Sequence, residues 1–89
     1  MSETIMELVV THKLMKEIFS WMEVGFEEEN DREMTYLERE NYLTSNAEKI
    51  QAAVESCLEF FRKNLDCDPM TMENDYWREE LYAANVPMP

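Results

Sequence analysis

Glycine is nearly missing from this sequence: Gly25 is the only one in 89 residues, and two of the three prolines fall in the last three positions. A chain so poor in turn-formers makes few tight reversals, and no Asn-Gly or Asp-Gly pair offers a hairpin turn. No period-two alternation runs over five or more residues, so strands are not expected. Cysteine is limited to Cys57 and Cys67. Two thiols do not make a disulfide scaffold. If a helix ran on between them, their Cα atoms would stand roughly 15 Å apart, beyond disulfide reach. His12 is the only histidine, and its neighbours match neither H-E-x-x-H nor the E-x-x-H of di-iron bundles. Asp66-Cys67-Asp68 begins like a calcium loop, but Pro69 and Met70 come next and the required Gly is absent. No metal or other cofactor is expected. The longest run without a charged side chain, Leu81 to Pro89, is nine residues, about half of what a membrane-spanning helix needs. Glu3 and Glu7 stand where a secretory leader would carry Lys or Arg, so a cytoplasmic protein is expected.

Positive charge is scarce too. Eight basic residues face 20 acidic ones, a formal charge of -12. Such a surface repels phosphate and anionic lipid, which argues against direct binding to nucleic acid or to a membrane surface. Its natural complement is a basic protein.

The dominant positive signal is helical periodicity. In Ser45 to Leu65, the residues Ala47, Ile50, Val54, Cys57, Leu58, Phe61 and Leu65 form one apolar stripe. Ser45 and Glu48 have capping-box spacing, and Arg62 and Lys63 suit the negative end of the helix dipole. A first helix is expected from about residue 4 to 24, started by a Thr4–Glu7 capping box and stopped by Gly25. Leu8, Met15, Ile18 and Met22 form one seam of it, Ile5, Val9, Phe19 and Phe26 a second, and Val10, Leu14 and Trp21 a third direction. One partner helix cannot cover so much apolar circumference, so a second subunit or a binding partner is expected to cover part of it.

Phe26 to Glu33 reads as an acidic connection, with Asn30 or Asp31 as the N-cap of the next helix. A second helical stretch spans about 32–65, with Tyr36 on its stripe. It is either continuous or gently kinked, which is the reading preferred, or broken by the three capping-type residues Thr44, Ser45 and Asn46. Asp68 and Pro69 open a last helix, about 69–84, that buries Met70, Trp77, Leu81 and Ala84 and leaves Val86 to Pro89 frayed. The fold class is all-α: a small three-helix bundle, or a long helical hairpin with a C-terminal helix, forming a homodimer from single-domain subunits.

Charge is unevenly spread. Glu23 to Glu33 carries six acids against Arg32, and Asp66 to Glu80 six against Arg78, so these two segments hold ten of the twelve net charges. In a three-helix arrangement they lie at opposite ends, about 30 Å or more apart. The candidate partner-binding residues are Glu27, Glu28, Glu29, Asp31 and Glu33 in the first segment. In the last third they are Glu73, Asp75, Tyr76, Glu79, Glu80 and Tyr82, the two tyrosines pointing away from the buried stripe. Carboxylates set out this way imitate spaced phosphates. Catalysis is not expected: there is no Gly-rich phosphate loop and no nucleophile elbow, and a Cys57–His12 dyad would place its thiol on the core stripe. The sequence therefore reads as an acidic helical inhibitor or regulator of a basic protein, a nucleic-acid mimic of viral or mobile-element origin. The partner would be a nucleic-acid-binding enzyme or complex. An antitoxin or immunity protein, or a helical assembly or chaperone subunit, would share much of this pattern.

Overall fold

A computed structural model describes residues 2–89. Helix α1 (Glu3–Ser20) starts at Ser2, whose hydroxyl accepts from the Ile5 N–H, two residues before the Thr4 cap expected from sequence. It does not stop at Gly25. A π-helical turn (Trp21–Gly25) carries it directly into α2 (Phe26–Asn30), so more than half of the supposed acidic connection is helix. The cause is spacing. Leu14, Ile18, Met22 and Phe26 are all buried yet each is four residues from the next, and on a regular α-helix each step of four overshoots by about 40°. The slower winding of the π turn, with the Phe26 N–H donating to the Trp21 carbonyl, takes up that drift and returns Phe26 to the core.

Gly25 itself has ordinary helical angles, φ -62 and ψ -46. A methyl there would meet the Met88 terminal carbon at 3.6 Å, normal contact. Gly25→Ala should therefore raise the unfolding free energy by about 0.5–1 kcal/mol, read as a higher urea midpoint at constant slope.

The continuous rod from Glu3 to Asn30 is about 42 Å long at 1.5 Å per residue, the full 42 Å length of the molecule. It closes on Asp31, in the left-handed conformation at φ 55, whose N–H donates to the Glu27 carbonyl. Asp31 thus ends one helix instead of starting the next. Thr35 starts α3 (Tyr36–Ser45) with a complete capping box to Glu38. Asn46 alone separates α3 from α4 (Ala47–Lys63). The stretch is interrupted at a single residue of the Thr44–Asn46 triplet: Asn46 is buried, and its side-chain amide donates to the Tyr42 carbonyl at 2.8 Å, while backbone bonds of helical spacing run through it, from the Asn46 N–H to the Tyr42 carbonyl and from the Ile50 N–H to the Asn46 carbonyl. The Ser45–Glu48 capping box does not form, because Ser45 is still inside α3.

Asp68 caps a short 3-10 turn (Pro69–Thr71), and α5 (Asn74–Ala83) comes after it, shorter than the expected 69–84. The chain then closes in a Schellman motif. Asn85 is left-handed at φ 62, the Val86 N–H donates to the Leu81 carbonyl and the Asn85 N–H to that of Tyr82, and Val86 and Leu81 are both buried. The tail is docked, not frayed: the Tyr42 hydroxyl donates to the Pro87 carbonyl and Met88 lies against Gly25.

All described secondary structure is helical. Arg62 pairs with Glu3, and Met6 and Phe61 line one hollow, so α4 runs antiparallel to α1. Glu17 with Arg78, then Trp21 with Tyr82, then Gly25 with Met88 set α5 parallel to the rod. The core joins Val10, Leu14, Ile18 and Met22 to Val54, Cys57, Leu58 and Phe61 and to Trp77 and Leu81. Hence the third direction of the first helix, together with Ile18 and Met22 of the first seam, faces inward. Leu8, Ile5 and Phe19, from the other seams, are exposed, and so are Tyr36, Ala47, Leu65 and Met70, which periodicity alone assigns to buried stripes. Among the described residues no helix is long and apolar enough to cross a membrane.

Candidate partner-binding surface

Phe26 anchors the acidic end. Its ring is buried, with the Arg32 guanidinium 5.0 Å from its centroid. Arg32 makes a two-pronged pair with Glu38, at 2.7 and 3.0 Å, and also donates to the Glu33 carbonyl. Glu38 in turn accepts from the Thr35 N–H. The Arg32 guanidinium, then the Thr35 N–H, hold the Glu38 carboxyl down at about 2. The loop between α2 and α3 is thereby fixed by a capped, ion-paired staple.

From this staple Glu27, Glu28, Glu29, Asp31 and Glu33 project into solvent, and among the described residues none of the five is in an ion pair. Arg39 shares a groove with Glu23, Glu27 and Glu33, which leaves that groove acidic on balance. Three glutamates in the last turn of a long rod, with no basic residue there, meet the negative end of the helix dipole and are locally unfavourable. Beside them, at the start of α3, Tyr36 and Leu37 are 76% and 65% exposed, and the Tyr36 hydroxyl donates to Glu40 at 3.1 Å. Sequence periodicity put Tyr36 inside and gave Leu37 no role. The signal available was the Thr35–Glu38 capping box, which fixes the helix start and turns both side chains outward.

The α5 residues do not join this group. Because α5 lies halfway along the rod, Glu73 and Asp75 sit near the level of residues 13–17, about 16–22 Å along the axis from Glu28 by helical rise. Asp68 lies at the far end, beside Met6, about 33 Å away by the same measure. The second acidic segment is therefore strung along the molecule and does not cap one end. Arg78 reaches Asp75 at 3.6 Å and the buried Glu17 at 3.1 Å. Glu73 and Glu79 are exposed, whereas Glu80 is half-buried and accepts from the Ser56 hydroxyl at 3.1 Å.

Tyr82 is exposed and stacked on Trp21, centroids 5.6 Å apart. Tyr76 does not point away from the core. Its ring packs against Phe60, Phe61 and Trp77, and its hydroxyl is buried near Cys57 and Glu80 without a hydrogen bond of good geometry. Burial first, then the Cys57 and Glu80 neighbours, push that phenol well above its usual range.

Burial, then the Glu80 charge, push the Cys57 thiol up to about 12. Cys57 faces α5, and His12 is exposed on α1, so the pair does not form a dyad. A thiol-reactive dye should label Cys67, which is half-exposed, in the native protein, and Cys57 only when denaturant is added. Equal labelling rates would contradict this packing. Among the described residues no three His, Cys, Asp or Glu side chains converge as a metal site. Compared with protein-family models, curated proteins and solved structures, the chain matches none.

Proposed function

We propose that this chain is a binding protein that engages a basic protein partner through Glu27, Glu28, Glu29, Asp31 and Glu33, with Tyr36 and Leu37 as apolar anchors inside the acidic rim. Anchors of this kind surrounded by charge are the usual build of an interface hot spot. The observation carrying the reading is the row of solvent-exposed, unpaired glutamates in the last turn of the rod. They oppose the helix dipole, so helix stability does not account for them. A cationic surface does. Glu73, Asp75, Glu79, Glu80 and Tyr82 extend the negative field along the molecule, with Tyr76 a packing residue behind them.

In its finer form the protein acts as a nucleic-acid decoy of viral or mobile-element origin. It blocks a nucleic-acid-handling protein in the cytoplasm, works as a homodimer, and binds neither nucleic acid nor membrane itself. Phosphate-sized charges on a fixed scaffold would exploit the steering that such a partner uses for its own ligand. The test is affinity capture from host extract with the tagged full chain, repeated between low salt and about 0.5 M, where screening lengths fall to a few ångströms. A basic nucleic-acid-binding protein should be retained at low salt and released at high salt. A captured set indifferent to salt, or one without a basic protein, refutes the reading.

A further inference from the structure

The side of α1 turned away from the core carries Ile5, Leu8, His12 and Phe19, with Met15 at its edge, alternating steps of three and four. That is the a/d seam of a coiled coil. Ile5, Leu8 and Phe19 are 52%, 66% and 42% exposed and His12 is exposed too, whereas Met15, at the edge of the seam, is partly buried against the core, so most of the seam has no partner among the described residues. His12, Met15, Lys16 and Phe19, with Ser20 and Glu23, line a shallow depression of about 360 Å³. The first four have the i, i+3, i+4, i+7 spacing of the hole that receives one knob of a facing helix.

We infer that this seam is a homodimer interface in which α1 packs antiparallel on α1 of a second copy, with the two-fold axis near His12. Three observations select a second copy and this direction. The knob of matching character is Leu8: seated in the hole of the other copy, it lies opposite the midpoint of residues 12–19. That single register also sets Ile5 opposite Phe19 and His12 opposite its own equivalent. Residues 1–22 sum to only -1, while Glu23 to Glu33 and Asp66 to Glu80 each sum to -5, so this is where two copies meet with least repulsion. A parallel pairing would bring both clusters at Glu27 to Glu33 together. The antiparallel one holds them about 50 Å apart by helical rise, several Debye lengths at physiological salt. The seam spans about four turns, which places the interface at the small end of stable associations.

This deepens the homodimer part of the proposed function and is independent of what the acidic ridge binds: loss of salt-sensitive capture would leave it standing, and a monomeric protein would leave the ridge untouched. Sedimentation velocity of the full chain across the micromolar range should show a monomer–dimer equilibrium. Leu8→Glu should abolish it with helicity unchanged, while Tyr36→Glu, more exposed but off the seam, should not. In a Cys67→Ser background, His12→Cys should oxidise to a disulfide-linked dimer. Ile5→Cys and Phe19→Cys should cross-link only when mixed with each other. A monomer at every concentration, a dimer that survives Leu8→Glu, or self-cross-linking of Ile5→Cys as fast as His12→Cys would overturn the assignment.

Discussion

Phe61→Ala should lower the unfolding free energy by about 3–5 kcal/mol, the usual result of emptying a buried aromatic site. A chain of this length is stable by only on the order of 4–13 kcal/mol, so the variant should be partly unfolded at room temperature or melt far below the wild type. Phe61 is fully buried and meets Phe60 edge-on at 5.2 Å, Tyr76 at 5.7 Å and Trp77 at 5.9 Å. It therefore joins α4 to α5 while lining the hollow beside Met6 of α1. Leu65 is the built-in control. It continues the same sequence stripe one turn later but lies past the end of α4 and is exposed, so Leu65→Ala should stay within about 0.5 kcal/mol. Urea unfolding followed by circular dichroism separates the two. Similar shifts for both would mean that the end of α4 is not where the fold places it.

The second large effect concerns binding. Changing Glu27, Glu28 and Glu29 together to Lys moves the net charge from -12 to -6, since each replacement adds two. Affinity for a basic partner captured by the wild type should fall about 100-fold, mostly through a slower association rate, because steering by exposed charge acts on encounter. Stability should move the other way. Three lysines in the last turn of the rod meet a favourable helix dipole, worth about 0.3–1 kcal/mol each when exposed. Opposite signs for binding and folding distinguish a ridge that serves recognition from carboxylates that serve the fold. Unchanged association kinetics would rule out the ridge as a contact surface.

The sequence was most legible where a single stripe left no choice. Val54, Cys57, Leu58 and Phe61 are buried as their spacing requires, Arg62 and Lys63 occupy the last turn of α4, and Asp68–Pro69 marks a true boundary. Legibility failed on α1 because three apolar directions compete there. Periodicity ranks none of them, and only docking of α4 and α5 selects Val10 and Leu14 over Leu8 and Ile5. Gly25 misled for a related reason: glycine is a stop signal only if tertiary packing does not need the helix to continue, and burial of Phe26 needs it. Tyr76 looked free on a wheel drawn for α5 alone, yet Phe60 of α4 lies across it. As for the candidate surface, its carboxylates were readable from composition. Their neighbours Tyr36 and Leu37 were not, since that required the start of α3 to be known to within a residue.

The five-residue π turn has a consequence for how the acidic end is aimed. Each residue added to or removed from a regular helix swivels everything beyond it by about 100°, and the wider turn at Trp21–Gly25 absorbs one such residue, which holds α2 on the compass bearing that Phe26 needs. Were the same residues wound as plain α-helix, Phe26 would turn away from its socket and the glutamates would swing around the axis with it. The bearing of the negative ridge thus rests on the wider turn, and a deletion of one residue within 21–25 should let a plain helix keep nearly the same aim.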